Sequence, residues 1–588
     1  MIRKLVRQML TAQIFSALTV SLCLLIDNIM IGRFLGVGAI AAYGLANPVL
    51  LVIGAIGSML SAGIQVACSK SLGKGSQAET NKGYSSAIGL TAGISLAFVA
   101  VVLILRTPLA TWMGAGTEGA LFEDTRSYLT GFILGAPASM GALILVPFLQ
   151  MAGQSGLLIA AVLGMTVADV ALDLLNVLVF HGGMFGMGLA SALSYYVAVI
   201  VGGIYFCSKK CVYRFSFRQV TRQKIRELFL GGVPTVFNMA STVVLIFVLN
   251  RILLGTGGAA AVAAYSVITT IGNASNCIAT GIGGVSLTMS GILYHEEDRT
   301  GLRELIAVMS RYSVILGLAV GAILVLLAPV FVSVFITEAG PAFDMTVLGV
   351  RLFAAGLIPC CLNNALKNSY QGTGREKLTE LISTCEGALV PALAAWILSM
   401  PLGTTGVWFY FVLGELLTLL GICLYVRLRT GRSPLDRDAL LLLPEDFSVT
   451  PEHLMEADVK TVEDAAAVAQ AAQEFCLAHG QSQKASVRIA LCVEEMAGNT
   501  VLHGFTKDDK PHSLSIRILR KEDLWVIRFR DDCRAFDPVH YVPRAGKNAL
   551  GIGLVLRLAD EVRYTYSLNL NNLTILLRGQ GLTAISDE

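Results

Sequence analysis

The sequence predicts an α-helical membrane protein of twelve spans in two six-helix lobes built as a parallel internal repeat, followed by a C-terminal α/β sandwich. Three observations predict this. First, the 588-residue chain is 54% hydrophobic and only 14% charged, whereas soluble domains carry roughly 25% charged residues. Second, the charge is uneven: residues 1–440 hold 48 of the 85 Lys, Arg, Asp and Glu, and the last 148 residues hold 37. Third, short motifs recur at an offset of 222 residues. A membrane body over 1–430, a linker over 431–455 and a soluble domain over 456–580 follow from that distribution.

The first span begins at the basic terminus Met1-Ile2-Arg3-Lys4, with Arg7, and runs apolar to Ile31. It is too long for the apolar core of a signal peptide, and more apolar segments follow, so it is a retained helix. A hydrocarbon core of ~30 Å needs about 20 apolar residues per helix. Suitable stretches fall near 10–32, 43–68, 86–105, 128–149, 157–180 and 187–207. A second set falls near 230–254, 262–290, 312–336, 347–369, 379–400 and 405–427. Lys and Arg in the intervening loops set orientation. One side collects 23 of them, counting Lys367–Lys377 as loop, and the other only five. Both termini are therefore expected in the cytoplasm, with the protein multi-pass in the cytoplasmic membrane. The mild net charge of +3 gives no basic stripe for nucleic acid. The twelve Cys show no metal-binding spacing and read as reduced, buried thiols.

The repeat supports a transporter. Gly38–Tyr43 reappears as Ala260–Tyr265, Pro137 as Pro359, and the charged loop Lys70–Lys82 as Glu296–Arg303. Gln150–Gly156 echoes Tyr370–Glu376. Repeats over about 5–210 and 225–430 with six spans each run parallel, and such paired bundles favour a substrate site between the halves and alternating access. A channel or receptor with twelve spans is the alternative.

Charges inside a bilayer are costly and usually functional. The spans hold Asp27, Asp169, Asp173, Glu386 and Glu415. Asp169 and Asp173 are four apart and share a helical face. With Asp27 nearby they could bind Na⁺ or share a proton, and Asn176 adds an uncharged oxygen. The competing reading is that each carboxylate caps a helix or neutralises an interfacial arginine.

Asp27-Asn28-Ile29-Met30-Ile31-Gly32-Arg33-Phe34-Leu35-Gly36, then Ala39–Tyr43 and Pro48, resembles the first-helix signature of the multidrug and toxic compound extrusion (MATE) transporters. Gly63–Ala67 leading into Leu72-Gly73-Lys74-Gly75 is similar to that family's second helix and loop. The resemblance covers about residues 5–430. It implies export of organic molecules in exchange for Na⁺ or H⁺, with Asp27 and Asp173 at the family's coupling positions. Asp169 stands where the family more often has Asn, which makes this site more acidic.

In the tail, Pro434, Pro444 and Pro451 break the linker, and helical patterns follow at Asp458–His479 and Ser486–Gly504. A hairpin is expected at Ser513–Leu519 and Leu524–Arg530, then a helix at Gly551–Ala559 and a strand near Leu573–Leu577. Three motifs fall in order: Glu494–Asn499 with His503, Asp531–Pro538 after a strand, and Gly546–Leu554 opening a helix. A helix N-terminus there can hold phosphate. Together with Asn571–Thr574 they resemble the nucleotide boxes of the GHKL (histidine-kinase-like) ATPases, nearest the anti-sigma-factor serine kinases. That resemblance implies ATP and Mg²⁺, with Asn499 on the metal, Glu495 as catalytic carboxylate and Asp531 on the adenine amino group. Gly551 and Gly553 would admit the phosphates, with Lys547 a charge partner. Cys533 and Ala535 stand where that family usually has Gly.

The combined expectation is a cation-coupled exporter of organic molecules among membrane lipids, regulated by a cytoplasmic ATP-binding domain. Alternatives are a membrane sensor whose tail is a protein-serine kinase or binds a regulatory protein partner, and a flippase of lipid-linked substrates. An ATP-driven pump is disfavoured, because no GxxxxGK[ST] loop is present.

Overall fold

The computed structural model describes residues 2–209, 211–336, 340–507, 511–541 and 550–578. The first lobe holds α1 (Ile2–Met30), α2 (Val37–Gly73), α3 (Gln77–Ala110), α4 (Ala120–Ile133), α5 (Ala136–Met151), α6 (Ser155–Leu175) and α7 (Gly183–Cys207). The second holds α8 (Arg222–Ser275), α9 (Cys277–His295), α10 (Arg299–Ser333), α11 (Pro341–Gly372), α12 (Glu376–Thr384), α13 (Val390–Trp408) and α14 (Tyr410–Thr430).

Among the described residues, eleven helices are long and apolar enough to cross a membrane, and α4 with α5, bent by 48°, makes twelve if the pair is counted as one span. The bend falls at Leu134-Gly135, just ahead of Pro137, whose missing N–H leaves no bond to continue the first helix. The 54 residues of α8 would run roughly 80 Å at ~1.5 Å per residue. Gly258, at φ 63° and ψ −156°, divides them in a conformation glycine adopts at little steric cost.

The two ends of the body differ. At the end carrying the start of α1 and the tail, a single apolar core runs through both lobes, from Met9, Leu60 and Leu149 to Ile282, Leu302 and Tyr370. At the far end each lobe has its own core, around Tyr128 and Met140 in the first and Ile268 and Trp408 in the second. The lobes are thus closed against each other on the tail side. Small residues permit that approach: a Cβ on Gly63 would strike the Leu228 backbone, and one on Gly232 the Met59 backbone.

The linker, which holds the short helix α15 (Arg437–Leu440), is not a free tether. Arg303 forms a two-pronged bond with Asp438, the Tyr370 hydroxyl donates to the Leu440 carbonyl at 2.7 Å, and Phe447 stacks on Tyr294 with ring centroids 4.9 Å apart. It lies as a strap across the second lobe.

The tail has a five-stranded antiparallel sheet in the order β1-β2-β3-β5-β4. The strands are β1 (Leu454–Val459), β2 (Leu514–Lys521), β3 (Leu524–Asp531), β4 (Glu561–Ser567) and β5 (Leu570–Arg578). Helices α16 (Val462–Ala478), α17 (Gln483–Asn499) and α18 (Leu550–Leu558) pack on one face over a core that includes Ile489, Val493, Trp525 and Ile527. The hairpin and the last strand lie where expected. β1 and β4 are additional: the helical pattern expected from Asp458 starts at Val462, because Thr461 caps it with a box closed by Asp464. The residues before that cap then pair with β2.

Candidate functional site

Two sites emerge, one in each part of the chain. In the first lobe, α1 carries Asp27 and α6 carries Asp169 and Asp173, with exposures of 6%, 3% and 0%. Asp27 lies within hydrogen-bonding reach of both other carboxyls. Ser194 and Cys23 flank Asp169. Oxygens on all three, including both of Asp173, are buried without a donor. Ionised carboxylates offer each other only acceptors, so the three cannot satisfy one another, whereas an added proton or a cation would. Among the described residues, no Lys or Arg pairs with it. Asn176 is buried nearby, but its amide is engaged at the start of α7, accepting from Gly182 N–H at 3.1 Å and donating to the Gly183 carbonyl at 3.2 Å.

In the second lobe, a cavity of about 640 Å³ is lined by Asn238, Asn273, Lys367, Glu386 and Glu415 among others. Here the acids are partnered. Lys367 Nζ meets Glu386 at 2.7 Å, with side chains 9% and 8% exposed. Asn363 Nδ2 donates to the Glu415 carboxylate at 2.8 Å. This corrects the placement of Lys367 in a loop: α11 continues to Gly372 and takes the lysine inside the bundle, where Glu386 keeps it.

In the tail, a cavity of about 670 Å³ lies between α17, α18 and the ends of β3 and β5, a size suited to a small-molecule ligand. Asn499, His503, Asp531, Cys533, Phe536 and Gly551 line it. The buried Asp531 carboxylate accepts from Cys533 N–H at 3.0 Å and Asn571 Nδ2 at 2.8 Å. Burial raises this carboxyl above its ordinary value, and the two hydrogen bonds oppose the rise only in part.

Asn571 is a hub beyond its part in the closing motif. Its Oδ1 accepts from Phe536 N–H at 3.1 Å and the Tyr564 hydroxyl at 2.7 Å. Both partners line the pocket, and Tyr564 carries no motif that sequence could flag. A side chain on Gly551 would run into the Glu495 carboxylate, so this glycine lets α18 close onto α17 beside Glu495 and Asn499. Gly553 faces open space. A widened turn at Thr500–Gly504 ends α17 and carries His503 to the pocket rim. Lys547 lies outside the described residues.

Residues 12–175 match the family model MatE, and residues 459–577 match the Histidine kinase-like ATPase domain. No curated protein matches. A crystal structure of MATE in complex with MaL6 is similar at 19% identity and a TM-score of 0.68, over 73% of this chain and 96% of that one. An outward-facing multidrug resistance MATE family transporter of the MOP superfamily gives 18%, 0.68, 75% and 97%. A mutant Vibrio cholerae MATE transporter gives 16%, 0.67, 71% and 95%. At these identities the likeness establishes the fold. The chain therefore carries a segment matching MatE, within a membrane body that has the fold of the MATE structures, followed by a segment matching the histidine kinase-like ATPase domain.

Proposed function

We propose that the protein is a cation-coupled antiporter that exports organic molecules across the cytoplasmic membrane, and that its tail is a cytoplasmic ATP-binding domain regulating it. The observation that carries the coupling is the set of orphaned oxygens on Asp27, Asp169 and Asp173. A buried cluster of three acids with no counter-cation among the described residues binds Na⁺ or H⁺ with an affinity that depends on how the lobes surround it. Access from one face then the other would exchange that ion for substrate. The tail-side closure described above supports a state open to the far side.

For the tail, Asp531 would accept from an adenine amino group, which favours the ionised carboxylate. Asn499 makes no hydrogen bond through its amide among the described residues and sits beside Glu495 and Gly551, a donor set that fits Mg²⁺ on a nucleotide phosphate. The magnesium ion would neutralise phosphate charge, while Glu495 would position or deprotonate an attacking nucleophile. Docking of the tail on the transporter favours regulation over an independent sensor kinase.

The test is efflux from proteoliposomes under separately imposed Na⁺ and pH gradients, with and without ATP. Efflux driven by one gradient and abolished by Asp173→Asn is the expected result. Efflux unchanged by that substitution removes the coupling assignment, and efflux that persists in Asn499→Ala excludes an ATP-driven pump.

A further inference from the structure

The sheet of the tail has two faces, and the one turned away from its helices lies on the membrane body. Strand β3 alternates, as strands must. Trp525, Ile527 and Phe529 enter the tail core, and Asp531 enters the nucleotide-sized pocket. Arg528 and Arg530, together with Asp532 just beyond the strand, reach the transporter.

Arg517 on β2 sits directly opposite Arg528, a like-charged cross-strand pair that destabilises a sheet by itself. Glu456 on β1 meets Arg517 at 2.7 Å, and the loop between α9 and α10 supplies further anions. Glu296 pairs with Arg530, Glu297 with Lys521, and Asp298 with Arg517 at 3.0 Å. Asp298 also lies 3.7 Å from Arg530. Burial works against the charge on Arg530, but Glu296 and Asp298 hold its guanidinium above its ordinary value.

The second attachment is on the other lobe. The β4–β5 turn has Leu568 at φ 55° and Asn569 at φ 64°. Two positive-φ residues define the tight hairpin turn that normally takes Asn-Gly. A leucine held there is strained, and such strain persists where surrounding structure requires it. Leu568 and Leu570 are buried in the apolar core of the membrane body, and Leu568 N–H donates to the Met151 carbonyl at 2.6 Å. Gly153 must be glycine here, because a Cβ would strike Asn569. Arg563 reaches the Lys74 carbonyl at 3.5 Å. Lys4 on α1 meets Asp532 at 3.1 Å.

Glu296–Asp298 occupies the place in the second repeat that Lys74–Ser76 occupies in the first. The tail therefore holds corresponding loops of the two lobes, on the side where the lobes are closed.

We propose that the docked tail is an autoinhibitory staple: it fastens the tail-side ends of both lobes together, and strand β3 links its release to nucleotide in the pocket. Opening the tail side requires one attachment to let go. Because Arg530 and Asp531 are consecutive, a ligand at one and an acidic loop at the other bias the same strand. Linkage then makes docking and nucleotide affinity change each other by equal factors. This inference deepens the regulatory reading above and rests on its alternating-access frame.

The experiment is hydrogen–deuterium exchange on the full chain in lipid nanodiscs. It compares wild type with Arg530→Glu, Leu568→Asp and the charge swap Arg530→Glu/Glu296→Arg. The segments read are 281–292 in α9 and 59–73 in α2, which meet between the lobes. Each single variant should speed exchange there about tenfold, within the usual span of coupling between sites, and the swap should return it towards wild type. ATP affinity of Arg530→Glu should differ from wild type by about fivefold or more.

Faster exchange in loops 151–153 and 296–298 with α9 and α2 unmoved would overturn the staple. So would loops that stay protected in both single variants. An unchanged ATP affinity in a released tail would overturn the link to nucleotide. Exchange does not read export, so a staple that responds in a protein without gradient-driven efflux would count against the transporter reading alone.

Discussion

The two lobes carry buried acids on one repeated scaffold and treat them in opposite ways. In the first, Asp27, Asp169 and Asp173 share a buried site with no counter-cation among the described residues. In the second, Glu386 is tied to Lys367 and Glu415 to Asn363. Duplication preserved the helices while charge compensation diverged. An acid left unpaired inside a membrane needs a visitor, whereas an acid with a lysine at 2.7 Å already has a resident. The first arrangement suits a site that fills and empties, the second a fixed element of structure around a polar cavity.

The largest test of that contrast is Asp173→Asn. Gradient-driven efflux should fall to background while the melting temperature of the purified protein does not drop, since removing an unpaired buried charge relieves a desolvation penalty. A loss of both would make Asp173 structural. Next is Lys367→Met, which strands Glu386 and should destabilise the second lobe by about 3–5 kcal/mol in thermal unfolding. Adding Glu386→Gln should restore most of it, and a neutral Lys367→Met would erase the distinction between the lobes.

A smaller effect is expected from Asn363→Leu, which takes a donor from Glu415. A loss of about 1–3 kcal/mol follows from leaving a buried acceptor unsatisfied, again read by melting. The smallest concerns a buried acid outside the bilayer. Asp531 has its carboxyl raised by burial, so in the empty tail it stabilises the fold below the ordinary carboxylate range and loses that contribution as pH rises through its folded value. A nucleotide donor reverses the preference, because it bonds the ionised form. ATP affinity of the full chain should therefore weaken as pH falls through that raised value. A flat profile would show that Asp531 does not meet the base.

Much of this was legible in sequence because the bilayer imposes composition. Spans stand out as apolar runs, and Asp27, Asp169 and Asp173 stand out as rare charges within them. The order of the three tail motifs indicated the second domain. What sequence could not give is pairing across long separations. Lys367 read as a loop cation because it follows Asn363 and Asn364 near the end of an apolar run, and only the length of α11 puts it opposite Glu386. Asn571 looked like one of two adjacent asparagines, and its role depends on β5 lying between β3 and β4. β1 was hidden because Leu454–Val459 holds a single β-branched residue, so its pattern resembles the helix that follows. The docking of the tail has no local signature at all.

The arginines on the outer sheet face carry a practical consequence for anyone handling this tail alone. Cut from the transporter, residues 456–580 would present Arg517, Arg528 and Arg530 with their loop anions gone, next to a hairpin tipped by a naked leucine. Such a fragment would cling to polyanions and to itself, with a salt dependence the whole protein lacks. Its behaviour in a tube would describe a different molecule.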